Sequence, residues 1–207
     1  MKLDWKKQDK KYYLPKEEPE LVHIPEFKFF SIRGQGNPND DFFGNYIQVL
    51  YSLSYAIKMS PKSGLAPIDY FEYSIYPLEG IWDLKEDAKI EPKSMFDKND
   101  LEFNLMIRQP DFVNADFANK IINIVKNKKP NNLLENVIFE TITDGKCIQI
   151  LHVGPYDNEP ASFKQMEEFA FKLGLKRPVY YHREIYLSDV RKVSPNKLKT
   201  VLRFKVQ

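Results

Sequence analysis

The chain has 207 residues, 43% of them hydrophobic and 14% aromatic, with a formal net charge of +2. That length suits one large domain or two small repeated halves with ample core, and so small a charge argues against a nucleic-acid partner. The single cysteine, Cys147, excludes an internal disulfide, and no apolar run approaches the ~18 residues of a membrane span.

Residues 1–20 are charged and contain prolines, with an aromatic island at Tyr12-Tyr13-Leu14, and read as an arm on the domain surface. No apolar stretch follows the charged start, so no signal peptide is expected and the cytosol is the expected compartment. Glu26 to Gly34 reads as a strand, ending in the loop Gly34-Gln35-Gly36-Asn37-Pro38-Asn39. A helix is expected from about Asp40 to Lys58, because Tyr46, Leu50, Leu53 and Ile57 recur at helical spacing. Ile68 to Ile81, rich in Tyr, Phe and Ile, reads as a long strand, and Asp83 to Lys98 as a charged loop. Leu101, Phe103, Leu105 and Ile107 alternate on one face of a half-buried strand. Asn114 is placed to cap a helix carrying Phe117, Ile121 and Ile124 inward.

Val137–Thr143 and Lys146–Val153 read as two strands joined by Asp144-Gly145, a two-residue hairpin signal. A helix starts near Asn158 with Pro160 in its first turn and stops at Gly174. Tyr180–Leu187 and Leu198–Val206 are the closing strands. The order strand, glycine loop, helix, strand, strand thus occurs twice. The expected fold is α+β: two pseudo-twofold-related βαββ repeats with antiparallel strands and a central ligand cleft. An N-terminal arm would cover 1–25 and the domain 26–207, with repeat one at about 26–110, a linker helix at about 114–128 and repeat two at about 137–207.

Along Tyr180–Leu187, Ile185 and Leu187 form a natural core pair, which turns Glu184 and Tyr186 to the other face together with His182. If that face is solvent, Glu184 is an ordinary surface acid. If it lines a groove, Glu184 is a carboxylate among aromatic rings, desolvated and with a raised pKa. Sliding Tyr76-Pro77-Leu78-Glu79-Gly80-Ile81-Trp82 onto this segment sets Glu79 opposite Glu184. Trp82 is either a core plug or the stacking wall of a pocket. Tyr156, at a strand-to-helix junction, either rims the groove or packs the turn. Gly34-Gln35-Gly36 lacks the other residues of a phosphate loop. His23, His152 and His182 lack metal-ligand spacing, so neither a metal nor a cofactor is expected. No nucleophile-elbow motif is present, which leaves a carboxylate acting on water as the simplest chemistry.

The segments Gly154-Pro155-Tyr156-Asp157-Asn158-Glu159-Pro160 and Arg183-Glu184-Ile185-Tyr186-Leu187-Ser188-Asp189, followed by Leu198-Lys199-Thr200-Val201-Leu202-Arg203, resemble the GyrI-like small-molecule-binding domain family. Pro38-Asn39 and Pro77-Leu78-Glu79-Gly80-Ile81-Trp82 are similar to its free-standing bacterial branch. The resemblance implies a small-molecule ligand, lipophilic and cationic or electrophilic, received by Glu184 among aromatic rings. It implies, as a further activity, hydrolysis of cyclopropane-bearing genotoxins by a water that Glu184 or Glu79 activates. Trp82, Tyr186, Tyr156, Tyr76 and His182 are the expected ligand-binding residues. The alternatives are a multidrug-sequestering module without catalysis, or an interaction protein like the gyrase inhibitor, for which the only support is the excess of basic residues after Lys176. No helix-turn-helix is evident, so no direct nucleic-acid binding is expected, and no membrane partner either.

Overall fold

A computed structural model describes residues 2–90 and 97–207. In chain order the elements are α1 (Trp5–Gln8), α2 (Lys10–Tyr13), β1 (Glu20–Gln35), α3 (Asp41–Met59), β2 (Leu78–Leu84), α4 (Glu86–Ile90), β3 (Leu101–Gln109), α5 (Ala115–Lys128), β4 (Ile138–Val153), α6 (Glu159–Lys172), β5 (His182–Tyr186) and β6 (Lys199–Lys205). Helices and sheet are thus mixed. The six strands are hydrogen-bonded neighbours in the closed order β1-β3-β2-β5-β6-β4, and the β1–β3, β4–β6 and β5–β6 pairs are antiparallel. Among the described residues no helix is long and apolar enough to cross a membrane.

Two compact units divide the chain, and β1, β2 and β4 each run through both. The first holds Met1–Asp4, Phe27–Leu78 and Leu84–Ile142. Its β1 pairs with β3 from Lys28 opposite Gln109 to Gln35 opposite Glu102. α3 lies on β3 and α5, and its stripe residues Leu50, Leu53 and Ile57 are fully buried with Phe30, Ile32, Leu105 and Ile107. Asn114 caps α5 as its sequence position suggests, its side-chain oxygen accepting from Phe117 N–H at 2.9 Å. Gly34 pairs opposite Phe103, one residue before the ladder ends, where β1 crosses an aromatic cluster. A Cβ there would stand 2.5 Å from the Phe103 ring and 2.9 Å from Tyr46, so the residue serves close approach rather than a phosphate.

The long strand expected over 68–81 is not formed. Only Leu78–Leu84 is extended strand, and before it Tyr73 makes a single parallel bridge to Leu3. The rings of this stretch act as plugs instead: Tyr70, Phe71 and Tyr73 all gather on Phe112, with centroids 5.1–6.0 Å apart. Pro67 and Pro77 flank it and cannot donate to a strand ladder. The charged loop expected after Asp83 contains the short helix α4; residues 91–96 lie outside the described residues.

The second unit holds Trp5–Glu26, Glu79–Asp83 and Thr143–Gln207. Its β4 pairs with β6 from Cys147 opposite Lys205 to Val153 opposite Lys199, and β5 pairs with β6 through Arg183–Arg203 to Tyr186–Thr200. α6 covers one sheet face, so that Met166 and Ala170 pack with Ile148, Ile150, Leu202 and Phe204. The hairpin expected at Asp144-Gly145 is absent: β4 runs unbroken from Ile138 to Val153. Gly145 takes φ 70°, a left-handed conformation that bends a strand at a bulge as well as at a turn. The deciding difference is the carboxylate of Asp144. A hairpin tip would leave it in water, whereas here it is buried, 2.9 Å from Arg183 Nε and 3.5 Å from Lys205 Nζ.

Candidate functional site

Successive side chains of a strand point to opposite faces, so Arg183 and Glu184 separate two polar clusters within the second unit. On the Arg183 side, its guanidinium bridges Glu79 at 2.8 Å and Asp144 at 2.9 Å, all three side chains being buried. Tyr13 from α2 donates its hydroxyl to the other oxygen of Glu79 at 3.0 Å. Arg203, opposite Arg183 in register, donates to Gln149 Oε1 and to the Tyr12 carbonyl. Gln149 in turn donates to the Lys11 carbonyl and to Glu20. These bonds tie Trp5–Glu26 to the strands of its unit. Burial alone would raise the Asp144 carboxyl pKa; the Arg183 charge, with Arg203 and Lys205, outweighs it and holds the group below its ordinary range. Burial pushes the Cys147 thiol the other way, to about 11. A small pocket on this side is lined by Asp144, Cys147, Arg183 and Arg203 among others.

The Glu184 side has the opposite character. Glu184 is 9% exposed. His182, two residues earlier and on the same face, holds Nε2 3.0 Å from Glu184 Oε1, and the Phe163 ring stands edge-on to the imidazole at 4.7 Å. The Tyr186 hydroxyl is hydrogen-bonded to Glu184 and accepts from Trp82 Nε1 at 2.7 Å. A relay therefore runs from indole N–H to phenol to carboxylate. Tyr156 stands perpendicular to Tyr186, with centroids 6.2 Å apart. Burial first, and then the charge of Glu184, raise the phenol pKa values of both tyrosines, Tyr156 to about 12. Both rings stay neutral donors at any working pH.

Sequence reasoning missed one member of this cluster. Glu159 opens α6 immediately before Pro160 and is 7% exposed. Among the described residues its Oε1 has no hydrogen-bond partner. Burial, then the charges of Glu184 and Asp157, push its carboxyl up to about 9. One ligand atom each from Glu159, His182 and Glu184 all lie within 4.8 Å of one another. The only signal in the sequence was an acid at a helix start beside the Gly154-Pro155-Tyr156 turn, which reads equally as an ordinary favourable charge at a helix N-terminus.

Five of the expected site residues, Glu184, His182, Tyr186, Trp82 and Tyr156, are thus together. Two are elsewhere. Glu79 does not face Glu184: within β2 it alternates with Trp82, and its carboxylate is engaged by Arg183 and Tyr13. Tyr76 is buried in the first unit, where its ring lies 4.4 Å from the Arg108 guanidinium.

Comparison with known proteins supplies a context for this site. A family model described as the GyrI-like small molecule binding domain matches residues 17–207. Three solved structures from Listeria innocua are similar over essentially the whole of both chains. One described as a hydrolase is 33% identical, with a TM-score of 0.87 over 99% of this chain and 100% of its own. A second hydrolase is 34% identical, with a TM-score of 0.88 over all of both chains. A third, a conserved protein, is 35% identical, with a TM-score of 0.89 over 99% of this chain and 100% of its own. The C-terminal domain of EcmrR shares the fold at 14% identity and a TM-score of 0.56, over 92% of this chain and 97% of its own. A search of curated proteins found no match.

Proposed function

Because the chain belongs to the GyrI-like small-molecule-binding domain family, we propose that it binds a lipophilic cationic or electrophilic small molecule at the Glu184 face of its second unit. The observation that carries this reading is a buried carboxylate surrounded by aromatic side chains, with no arginine or lysine in ion-pair contact with it among the described residues. Among the described residues, the side chain within ion-pair distance of it is the His182 imidazole. A buried carboxylate is costly unless paired, so an incoming cation gains both the charge and the rings. Trp82 and Tyr186 offer faces for stacking and cation–π contact worth ~0.5–2 kcal/mol each. Tyr156, 37% exposed, is the rim. Glu79 has no part in this reading, since Arg183 already neutralises it. The repeated element order β1-α3-β2-β3 and β4-α6-β5-β6 supports reading the fold as two βαββ repeats.

Fluorescence titration with ethidium, a planar lipophilic cation, tests the proposal. Saturable uptake of one dye per chain is expected; fluorescence that rises linearly without saturation would refute it.

A second reading is favoured by a specific observation, the hydrolases from Listeria innocua at 33–34% identity. In it the ligand is a strained electrophile such as a cyclopropane-bearing genotoxin. Glu184 holds a water and takes its proton as the oxygen attacks the ring carbon; the strained C–C bond to that carbon breaks, its electron pair passes into the conjugated system of the substrate, and the proton held by Glu184 is returned there, so that one water is added overall. The rings clamp the flat substrate and fix the angle of attack. The Tyr186 hydroxyl, steadied by Trp82, keeps the carboxylate in one orientation. The expected product carries one added water, and Glu184→Gln is expected to abolish its formation. Intact electrophile after prolonged incubation would leave binding as the sole activity.

A further inference from the structure

We propose that Glu159, His182 and Glu184 form a binding site for a single divalent transition-metal cation of the zinc class. The sequence hides this site, because Glu159 stands 23 positions before His182 and on another element. The fold closes the gap. His182 and Glu184 alternate along β5 and so share a face, and the first residue of α6 brings a third donor to it, with all three ligand atoms within 4.8 Å of one another.

An independent feature points to a missing partner. Glu159 is 7% exposed, and its Oε1 lies buried without a hydrogen-bond partner among the described residues. Among the described residues no ion pair reaches it either. Native proteins rarely leave a buried carboxylate oxygen so, unless a water, a cation or a metal completes it. Two buried carboxylates this close repel one another, and a divalent ion between them turns that repulsion into attraction.

The donor set narrows the ion. One imidazole nitrogen with two carboxylate oxygens suits zinc and its first-row neighbours, whereas calcium and magnesium favour oxygen alone. Zinc bonds of ~2.0–2.2 Å put neighbouring ligand atoms roughly 3.4 Å apart in a tetrahedron. The present spacings, 3.0 Å for His182 to Glu184 and up to 4.8 Å across the trio, bracket that distance, so small side-chain rotations suffice. Outer contacts hold the ligands in place: Phe163 lies edge-on to the imidazole, and Tyr186 is bonded to Glu184. Such supports commonly orient metal ligands. The His182 side chain is 22% exposed, which leaves a way in. Three protein ligands leave a fourth position open to water or a ligand atom. Since Glu184 is shared, the metal and a lipophilic cation should exclude each other.

The inference uses the Glu184 face of the proposed function but not the dye, so the two are tested apart. The full-length chain is stripped with EDTA, freed of chelator and titrated with zinc in equilibrium dialysis, and cobalt(II) is followed by its visible bands. One zinc per chain is expected, with affinity at least tenfold weaker in both Glu159→Gln and His182→Ala. Cys147→Ser is expected to bind as the parent does. Circular dichroism confirms that each variant is folded. No binding, or affinity unchanged in Glu159→Gln and His182→Ala, would overturn the site, and so would loss in Cys147→Ser. Ethidium uptake with EDTA present reports on the small-molecule reading alone, whichever way the zinc titration falls.

Discussion

Replacing Glu159 by Gln is expected to stabilise the protein, and to do so more as the pH rises. The ordinary glutamate pKa of 4.5 is raised in the fold to about 9, burial being the main cause and the charges of Glu184 and Asp157 the next. A raised carboxyl pKa means that the folded chain holds a proton which the unfolded chain gives up. The associated stability is complete below the unfolded pKa and is lost as pH rises from 4.5 through the folded value. Each pH unit in that window is worth about 1.36 kcal/mol, so at pH 7 the loss reaches about 3 kcal/mol. Glutamine has the same shape and no proton to lose, so the variant escapes the penalty. For a chain of this size, 3 kcal/mol corresponds to roughly 6–12 °C in Tm. The assay is thermal unfolding of both proteins at pH 5, 6, 7 and 8 in EDTA, with urea melts as a second measure. A gap that widens steadily in favour of Glu159→Gln supports the burial argument. A gap that is flat over this range, or that favours the parent, refutes it.

Asp144→Ala is expected to cost ~3–5 kcal/mol in urea unfolding, because it leaves Arg183 half-paired in a buried place. The same group has a lowered pKa in the fold. Its stabilisation is therefore present above the ordinary value of 3.8 and is lost as pH falls through the lower folded one; an acid titration of the parent should lose stability there, and the variant should not. Trp82→Phe keeps a ring but removes the donor to Tyr186. It is expected to cost about 1 kcal/mol of stability and to weaken ethidium binding several-fold, and unchanged dye affinity would remove Trp82 from the pocket wall. Cys147 is 1% exposed, with its thiol pushed to about 11, so a thiol reagent at pH 8 should label it only as fast as the chain unfolds; prompt labelling of the folded chain would contradict that burial.

What could be read in advance depended on how local the determining physics was. The helices over 41–59 and 115–128 were legible because a 3.6-residue stripe and an Asn114 cap specify a helix from its own residues. β3 was legible from alternation, and the alternation along β5 set Glu184, His182 and Tyr186 on one face, opposite Ile185. The stretch 68–77 was not, because its Tyr and Phe side chains satisfy burial against Phe112 without a ladder, and composition alone does not distinguish a plug from a strand. Asp144-Gly145 was misread for a related reason: the same dipeptide bends a continuous strand when its carboxylate has Arg183 to meet. Glu79 was aligned to Glu184 by position within the repeat, but Arg183, a residue away on the other face, claims it. Glu184 itself emerged from a motif together with the strand's periodicity. Glu159 has no such pattern, since only the fold brings the start of α6 against β5.

The central claim is that Glu184 supplies the charge that receives a cationic ligand. The most direct test is the ethidium dissociation constant of the parent and of Glu184→Gln, at pH 7 and moderate salt with EDTA present. The account predicts at least a tenfold weaker constant in the variant, about 1.4 kcal/mol or more, with the fold intact by circular dichroism. Equal affinity in a folded variant would contradict it.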